Sequence, residues 1–385
     1  MTANRAIESY LGMTQREATE RVMRRLEPYV EIETPSRNAG AIAILSRRIE
    51  AELRAAGAAV EALDAPGLGR NLRALVEGVH PNLAPIVALA HIDTVHPVGT
   101  LETQPMRRID GRGEGPGIFD MKAGVALLVE AISILRSRRA GPRRSLRFLV
   151  TCDEEIGSHS SRGLIREAAA GAEAALVLEP SLPDGAVKTS RKGVSTYRLE
   201  ANGRAAHAGV DPERAVSAVA EIAHQILAVL ATADPSTGTT VNIGLIHGGT
   251  ASNVVPARAW ATIDVRFVTP AEGERVDAAL HRLRPILPAA TIDVTLTESR
   301  PPLERTAGVV RLYEHARTLA AEFDTSLGEG STGGASDGSL IATHGLPTLD
   351  GLGPRGGGAH AVDEHILLED LPFRLALVCR LLETL

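Results

Sequence analysis

Short apolar runs that each lead into a histidine or a carboxylate constrain the fold of this chain more than any other feature. Uninterrupted runs of this length are typical of parallel strands that are buried on both faces. In open α/β sheets, ligands bind beyond the carboxyl ends of the strands, so we expect these polar side chains to meet in one crevice. The runs and the side chains that follow them are 86–90 with His91, 146–150 with Glu154 and Glu155, and 174–178 with Glu179.

The residue types at these positions indicate a metal site. Asp120 lies just after Gly115 and Gly117, and His360 adds a second imidazole far along the chain. Mixed imidazole and carboxylate ligands suit zinc, cobalt or manganese better than calcium. Taken alone, Asp120 fits better as the N-cap of the helix predicted after it. Taken together, the residues are best interpreted as a hydrolase site with two divalent metal ions per chain.

The adjacent Glu154 and Glu155 can divide two tasks between them. Metal-dependent hydrolysis needs one carboxylate on the metal and another held off it, to take the proton of the attacking water. A solvated acidic loop is the alternative for this pair considered alone. Asp93, two residues after His91, is placed to hydrogen-bond the imidazole and orient it.

Composition excludes several classes of function. The 385 residues carry a formal net charge of −6 without long charged runs, which argues against nucleic acid or an anionic membrane as a partner. No apolar stretch approaches the ~18–20 residues that span a bilayer, and the first residues are too polar for a signal peptide. Cys152 and Cys379 are the only cysteines, so we expect no disulfide framework and a cytoplasmic protein.

The pattern of helices and strands changes near residue 193. Before it, strands and helices alternate, and segments 14–59 and 121–136 have helical character. After it, the order is strand, helix, strand, strand, helix, strand, which is the ferredoxin-like arrangement. We predict these six elements at 194–201, 213–233, 240–247, 257–268, 271–287 and 291–299.

The length of the chain favours two domains, because single cores rarely grow beyond ~250–300 residues. We predict an α/β catalytic domain formed by residues 1–192 and 303–385. A smaller ferredoxin-like domain, residues 193–302, is predicted to be inserted into it.

Seven motifs, in order and spread over nearly the whole chain, resemble one family. Any one of them is weak, but together, with the inserted domain, they are highly specific. The chain is similar to the dizinc metallopeptidases that include glutamate carboxypeptidases, aminoacylases, acetylornithine deacetylases and succinyl-diaminopimelate desuccinylases. The segment from Gly330 to Asp337 most resembles the glutamate carboxypeptidases. The motifs are His91-x-Asp93-Thr-Val, Gly-Ile-Phe-Asp120-Met-Lys, Asp-Glu154-Glu155-x-Gly-Ser, Glu179-Pro, His207-Ala-Gly, Ala-Ser-Asn253-Val-Val-Pro and Gly-Ala-His360.

The resemblance implies a zinc-exopeptidase catalytic domain with a mixed sheet, and a lid and dimerisation role for the inserted domain. One zinc ion would be held by His91 and Glu179 and the other by Glu155 and His360, with Asp120 bridging them. Cobalt or manganese could replace zinc. A water shared by the two ions would have its pKa lowered toward ~7, giving hydroxide near neutral pH.

The remaining roles that the resemblance implies concern the proton and the substrate. Glu154 would be the general base, and Asp93 would support His91. His207 is away in sequence from every proposed ligand, and a lone histidine is more often structural. In relatives, however, the matching histidine polarises the scissile carbonyl, often from the partner subunit of a homodimer. The residues that fall where relatives bind the free carboxylate are Asn253 and Arg300, with Arg266 as an alternative.

These implications lead to one principal hypothesis about function. The protein would hydrolyse the amide beside a C-terminal amino acid in an N-acyl amino acid or a short peptide. A biosynthetic deacylase of a diamino acid, similar to acetylornithine deacetylase, is the alternative within the family. A catalytically silent relative that only binds ligands is the alternative outside catalysis, although Glu154 and all the proposed metal ligands are present.

Overall fold

The computed structural model describes residues 3–385, which form helices α1–α11 and strands β1–β16. The helices are α1 Ala3–Leu11, α2 Gln15–Val30, α3 Ala39–Ala55, α4 Thr100–Thr103, α5 Ala123–Ser137, α6 Arg162–Ala169, α7 Ala218–Leu230, α8 Pro270–His281, α9 Ala307–Ala321, α10 Asp337–Ala342 and α11 Leu371–Thr384. The strands are β1 Ala59–Ala65, β2 Gly69–Val76, β3 Ile86–His91, β4 Arg107–Ile109, β5 Arg112–Glu114, β6 Leu146–Thr151, β7 Ala174–Val177, β8 Val187–Arg191, β9 Gly193–Asn202, β10 Thr240–Gly248, β11 Arg258–Phe267, β12 Thr291–Arg300, β13 Glu329–Thr332, β14 Thr348–Leu349, β15 Gly356–Gly357 and β16 His365–Leu367.

The chain divides into two compact units, which we call unit 1 and unit 2. Unit 2 consists of Arg191–Glu304 together with Gly333–Ala335. Unit 1 consists of the described residues up to Ser190, then Arg305–Thr332 and Ser336–Leu385. Unit 2 therefore interrupts the sequence of unit 1.

Unit 1 is built around a six-stranded mixed sheet. Its strand order is β1-β2-β6-β3-β7-β14, in which β6, β3, β7 and β14 run parallel and the pairs β1–β2 and β2–β6 are antiparallel. All six residues of β3 are buried, because helices cover a parallel sheet on both faces. The expected α/β fold with a mixed sheet is confirmed.

Helices α2, α5 and α11 pack against one another beside this sheet. Helix α5 is buried on nearly all sides, which explains its continuous run of apolar residues. Thr14 caps helix α2: its side chain accepts a hydrogen bond from the Glu17 backbone, while the Glu17 carboxylate accepts one from the Thr14 backbone. Such a reciprocal capping box satisfies two amides that the first helical turn leaves unpaired.

Unit 2 is an antiparallel four-stranded sheet of order β10-β11-β9-β12, with helices α7 and α8. If the four strands are numbered by their order in the sequence, they lie side by side in the order 2-3-1-4, as the ferredoxin-like arrangement requires. Alternate residues of β11, such as Ile263 and Val265, are buried in a core shared with Ile222 of α7 and Val276 of α8. The ferredoxin-like fold expected for the inserted segment is confirmed.

The structure corrects the bounds of both predicted helices in unit 2. Helix α7 was expected from residue 213, but Val216 exchanges two backbone hydrogen bonds with Arg204, so the helix begins only after Ser217. Helix α8 was expected to reach residue 287 but ends at His281. Pro285 cannot continue a helix, and the Glu221 carboxylate binds the two backbone amides that follow Pro285.

Two further observations concern the whole of the described chain. The helical segment expected at 14–59 is two helices, α2 and α3, which are separated by residues 31–38, and it gives way to β1 at Ala59. In residues 3–385, no helix combines the length and the apolar character needed to cross a bilayer.

Candidate active site

Three neighbouring parallel strands of unit 1 deliver polar side chains to one edge of the sheet. His91 is the last residue of β3, the central strand of the three. Glu154 and Glu155 lie in a single 3₁₀ turn just after β6, and Glu179 lies two residues after β7. The apolar runs therefore place these groups together, as the sequence predicts for the carboxyl ends of parallel strands.

The first group of converging atoms surrounds the imidazole of His91, which is 1% exposed. Its Nε2 atom lies 3.2 Å from Asp120 Oδ1 and 3.5 Å from Glu179 Oε1. Its Nδ1 atom lies 3.0 Å from the backbone oxygen of Asp93, which can only accept a hydrogen bond. When the ring is neutral, its proton is therefore assigned to Nδ1, and the lone pair of Nε2 is directed at the two carboxylates.

The second group forms on the other oxygen of Asp120. His360 Nε2 lies 3.3 Å from Asp120 Oδ2 and 3.3 Å from Glu155 Oε2. His360 has a positive φ of 64°, in the turn that Ala361 closes by donating to the Gly358 oxygen. Asp120 thus belongs to both groups, with one oxygen facing each.

Electrostatics in both groups favours positive charge beside the carboxylates. Burial opposes a charged His91, but its hydrogen bonds to Asp120, Asp93 and Glu179 outweigh burial and hold its pKa well above the usual value. Hydrogen bonds to Asp120 and Glu155 raise the pKa of His360 to about 10. Burial likewise opposes a charged Asp120, yet the hydrogen bonds from the two histidines hold its pKa below the usual range. Burial raises the pKa of Glu155.

Asp93 supports more of the site than its position in the sequence suggests. Its carboxylate is completely buried and accepts hydrogen bonds from Ser36 Oγ at 2.8 Å and from the backbone amides of Glu154 and Glu155, both at 3.1 Å. One of its oxygens also lies 3.5 Å from His91 Nδ1. Asp93 therefore links the end of β3 to the acidic turn after β6.

The acidic turn also depends on Asp153, which directs its carboxylate into the loop itself. Asp153 accepts hydrogen bonds from the Ser160 amide at 2.6 Å and from Ser161 Oγ at 2.7 Å. Glu154 is 8% exposed and is not part of either converging group among residues 3–385. The three consecutive acids thus have different surroundings, and only Glu155 belongs to a group that could hold a metal ion.

Glu364 is a site residue that the sequence analysis missed. Its carboxylate accepts backbone hydrogen bonds from Gly117, Phe119 and Asp120 at 2.9, 2.8 and 3.0 Å. It also lies 2.6 Å from Nε2 of His96. Sequence gave no signal for these contacts, because backbone donors do not depend on residue type.

The predicted substrate residues all lie in unit 2. The segments of His207 and Asn253 are paired. The Ala208 amide donates a hydrogen bond to the backbone oxygen of Asn253 at 2.9 Å, and His207 and Val254 form an isolated antiparallel β-bridge. His207 is exposed, and its Nδ1 accepts a hydrogen bond from the Gly209 amide at 3.1 Å. The proton of a neutral ring is therefore assigned to Nε2, which leaves an N–H donor pointing away from the backbone.

The two arginines proposed to bind a carboxylate have different surroundings. Arg266 already makes a bidentate ion pair with Asp264, with two contacts of 2.8 Å. Arg300 is 6% exposed, and its Nε lies 3.8 Å from Glu298.

The donor set of unit 1 fits divalent metal ions. The ligand atoms of His91, Asp120 and Glu179 lie within 4.8 Å of one another, and so do those of Asp120, Glu155 and His360. The lone pair of His91 Nε2 and two carboxylate oxygens face one another, an arrangement of acceptors that needs a proton or a cation between them. Imidazole and carboxylate together suit zinc, and a shared carboxylate suits a pair of ions.

Comparison with known proteins identifies the family. The family described as peptidase family M20/M25/M40 matches residues 87–384. The chain is 32% identical to carboxypeptidase G2 of Pseudomonas sp. (strain RS-16) over 371 residues, which cover 94% of this chain and 88% of that protein. It is 31% identical to the succinyl-diaminopimelate desuccinylase of Verminephrobacter eiseniae (strain EF01-2) over 320 residues, which cover 78% of each chain.

Solved structures share the fold. Aminopeptidase PepT from Bacillus cereus ATCC 10987 superposes with a TM-score of 0.77 at 24% identity, over 94% of this chain and 98% of that chain. The M20 family metallo-carboxypeptidase Sso-CP2 from Sulfolobus solfataricus superposes with a TM-score of 0.74 at 15% identity, with the same coverage. The resemblance drawn from the seven motifs is confirmed: this chain belongs to peptidase family M20/M25/M40.

Proposed function

We propose that this protein is a two-metal amidohydrolase that releases a C-terminal amino acid from an N-acyl amino acid or a short peptide. Its family is one of metal-dependent hydrolases, and carboxypeptidases and desuccinylases are among its relatives. The single observation that carries the proposal is the position of Asp120, with one oxygen in each of two groups of histidine and carboxylate ligands.

The proposed ligands are divided between two ions. His91 and Glu179 would hold one zinc ion, Glu155 and His360 would hold the other, and Asp120 would bridge them. When bound, the ions would polarise the scissile carbonyl and lower the pKa of the attacking water. Zinc is proposed because imidazole and carboxylate ligands suit it, and the same ligands could also hold cobalt or manganese.

Glu154 is the residue proposed to move the proton. Its own backbone amide donates a hydrogen bond to Asp93, and it lies next to a proposed ligand without belonging to either ligand group. A carboxylate in that position can accept the proton of the attacking water and later deliver it to the leaving amine. Asp93 binds the backbone amides of both Glu154 and Glu155 and so holds the turn in which they lie. The two side chains can then point to different places and perform different tasks.

Unit 2 is proposed to recognise the substrate. The N–H of His207 Nε2 would donate to the oxygen that gains negative charge as the carbonyl is attacked. Asn253, held beside the His207 segment, and Arg300 are proposed to bind the free carboxylate. Arg266, which makes a bidentate ion pair with Asp264, is proposed as the alternative to Arg300.

A second candidate function is the deacylation of an N-acyl diamino acid. It is supported by the 31% identity to a succinyl-diaminopimelate desuccinylase over 78% of the chain. Both functions use the same ligands and the same base, so they differ only in the acyl group and the side chain that are accepted.

A release assay on the zinc-loaded protein would test the proposal and separate the two candidates. The panel would contain N-acetyl, N-succinyl and N-aminobenzoyl derivatives of glutamate, ornithine and diaminopimelate, with several dipeptides. We expect the protein to hydrolyse substrates that have a free α-carboxylate. We expect no hydrolysis of the same compounds when that carboxylate has been converted to an amide. Equal rates on carboxylate and amide forms would contradict the proposed recognition, and a preference for acylated diamino acids would select the second candidate.

His207→Ala is expected to lower kcat by roughly 10²–10³-fold, as the loss of one oxyanion donor does in other enzymes. Metal content and the free energy of unfolding should change little, because the His207 ring is exposed. Steady-state kinetics and elemental analysis would check both statements. A kcat close to that of the wild type would show that His207 has only a structural role.

Mixing two inactive homodimers would determine which subunit supplies His207. If the partner subunit supplies it, subunit exchange between His207→Ala and Glu154→Gln protein should restore activity, since one of the two sites in a heterodimer then lacks neither residue. The absence of recovery after demonstrated exchange would place His207 in the same subunit as the base.

We also propose that unit 2 mediates a homodimer. Strand β10 lies at the edge of its sheet, where Leu245 and Ile246 are exposed, and Leu227 and Leu230 are exposed on α7. An edge strand with free backbone groups beside an apolar helix can pair with its own copy across a two-fold axis.

Leu245→Glu is expected to convert the dimer to a monomer. It would bury one unpaired carboxylate from each subunit in the interface, and the two negative charges would repel each other. Light scattering at the concentration used for assays would measure the change. Val79→Glu, a matched substitution of an exposed apolar residue in unit 1, should leave the dimer intact. Wild-type protein that is a fully active monomer would contradict the proposed interface.

A further inference from the structure

We propose that Glu364 is a positioning residue that sets the place of the shared carboxylate, Asp120, and thereby the affinity of the site for metal ions. This inference rests on the proposed function, because it takes Asp120 as the bridging ligand. Glu364 is not itself near enough to belong to either ligand group found among residues 3–385. Its effect would therefore be transmitted through the backbone of the loop that carries Asp120.

The carboxylate of Glu364 is saturated with hydrogen bonds. Oε1 accepts from the amides of Phe119 at 2.8 Å and Asp120 at 3.0 Å. Oε2 accepts from the amide of Gly117 at 2.9 Å and lies 2.6 Å from His96 Nε2. Four donors fill the four lone-pair positions that an ionised carboxylate offers. Because an ionised carboxylate only accepts hydrogen bonds, the proton at the His96 contact is assigned to Nε2.

These contacts join the three segments that carry His91, Asp120 and His360. His96 lies five residues after His91, the bound amides end at Asp120 itself, and Glu364 lies four residues after His360. Glu364 is 2% exposed, and β16, which starts at the next residue, pairs with β5. The position of Asp120 relative to both histidines is therefore coupled to a single buried side chain.

An amide cannot replace this carboxylate. In Glu364→Gln, the oxygen of the side chain can serve only one of the two donor pairs. In one orientation the NH₂ group would face the backbone N–H of Gly117, and in the other those of Phe119 and Asp120. Both groups at such a contact are donors, so no hydrogen bond could form there. The loop must then move to find other acceptors, and Asp120 moves with it. A change of this kind, outside the metal ligands themselves, typically costs about 10–100-fold in metal affinity.

Glu130→Gln provides a matched control in the same unit. Glu130 is also 2% exposed, and its carboxylate binds two arginines, Arg21 Nε at 2.5 Å and Arg25 Nε at 2.6 Å. The substitution removes the charge of a buried carboxylate in both variants, so both should lower the free energy of unfolding of the metal-free protein. Only the Glu364 variant should change the metal site.

The experiment is a titration of the metal-free wild type and both variants with Co²⁺ in competition with a chelator, followed by visible absorption. We expect Glu364→Gln to bind Co²⁺ about 10–100-fold more weakly, with altered ligand-field bands, and Glu130→Gln to match the wild type in both. Unchanged affinity and an unchanged spectrum in Glu364→Gln would overturn the inference. Failure of the wild type itself to bind Co²⁺ would instead contradict the proposed metal site.

A second variant keeps the test decisive if Glu364→Gln does not fold. His96→Ala removes one of the four donors and leaves the three backbone hydrogen bonds in place. It should weaken Co²⁺ binding in the same direction by a smaller factor and shift the spectrum. Co²⁺ binding and a spectrum identical to those of the wild type would overturn the role assigned to Glu364 and its four hydrogen bonds.

Discussion

Glu154→Gln is expected to lower kcat by roughly 10²–10⁴-fold, the usual contribution of a general base, while both metal ions stay bound. The amide side chain has nearly the same shape but cannot accept the proton of the attacking water. Metal content should not change, because Glu154 is outside both ligand groups in the described chain and its backbone is held by Asp93. Single-turnover kinetics on metal-loaded protein and elemental analysis would measure the two effects.

The neighbouring substitution, Glu155→Gln, is the matched control for this prediction. Glu155 Oε2 lies 3.3 Å from His360 Nε2 in the second ligand group, so its loss should empty or weaken that metal position. The two variants should therefore separate: one inactive with metal and one depleted of metal. Equal metal loss with equal residual rates in both would contradict the division of tasks between the two glutamates.

Removal of the metal ions is expected to abolish hydrolysis altogether. Prolonged dialysis against a chelator should leave activity below detection, and zinc, cobalt or manganese should restore it. Ca²⁺ should not, because it prefers oxygen ligands and both ligand groups contain an imidazole. Elemental analysis of the active protein should give close to two divalent ions per chain.

Thermal unfolding provides a second measurement of the same prediction. A ligand that binds only the folded state raises stability by an amount that grows with its concentration above Kd, so the metal-loaded protein should unfold at a higher temperature. Full activity in rigorously metal-free protein would contradict the mechanism, whatever the unfolding temperature.

The sequence predicts the structure best where candidate site residues coincide with a repeating physical pattern. His91 ends one buried strand, Glu155 and Glu179 follow two others, and parallel strands that are neighbours in one sheet bring their carboxyl ends together. The ferredoxin-like order of unit 2 was equally accessible, because alternating apolar residues mark its strands.

Contacts between distant segments could not be predicted in this way. Glu364 and the amide of Asp120 are 244 positions apart, and a backbone amide has no signature in the sequence. The contact of His96 with Glu364 likewise has no signal in the sequence, because only the folded chain brings the two side chains together. The start of α7 was misplaced for a related reason, since the bridge between Arg204 and Val216 is a tertiary contact that overrides local helix propensity.

The interruption of unit 1 by unit 2 has a consequence for the newly synthesised chain. His91, Asp120, Glu155 and Glu179 leave the ribosome first, and about 180 further residues are translated before His360 and then Glu364. At usual rates of synthesis this interval is roughly 10–40 s. During that time the nascent chain has the four earlier proposed ligands but lacks His360, which completes the second group, and Glu364, which holds the loop of Asp120. Stable loading with the proposed pair of ions would therefore be a late event, after the last segment of unit 1 has docked.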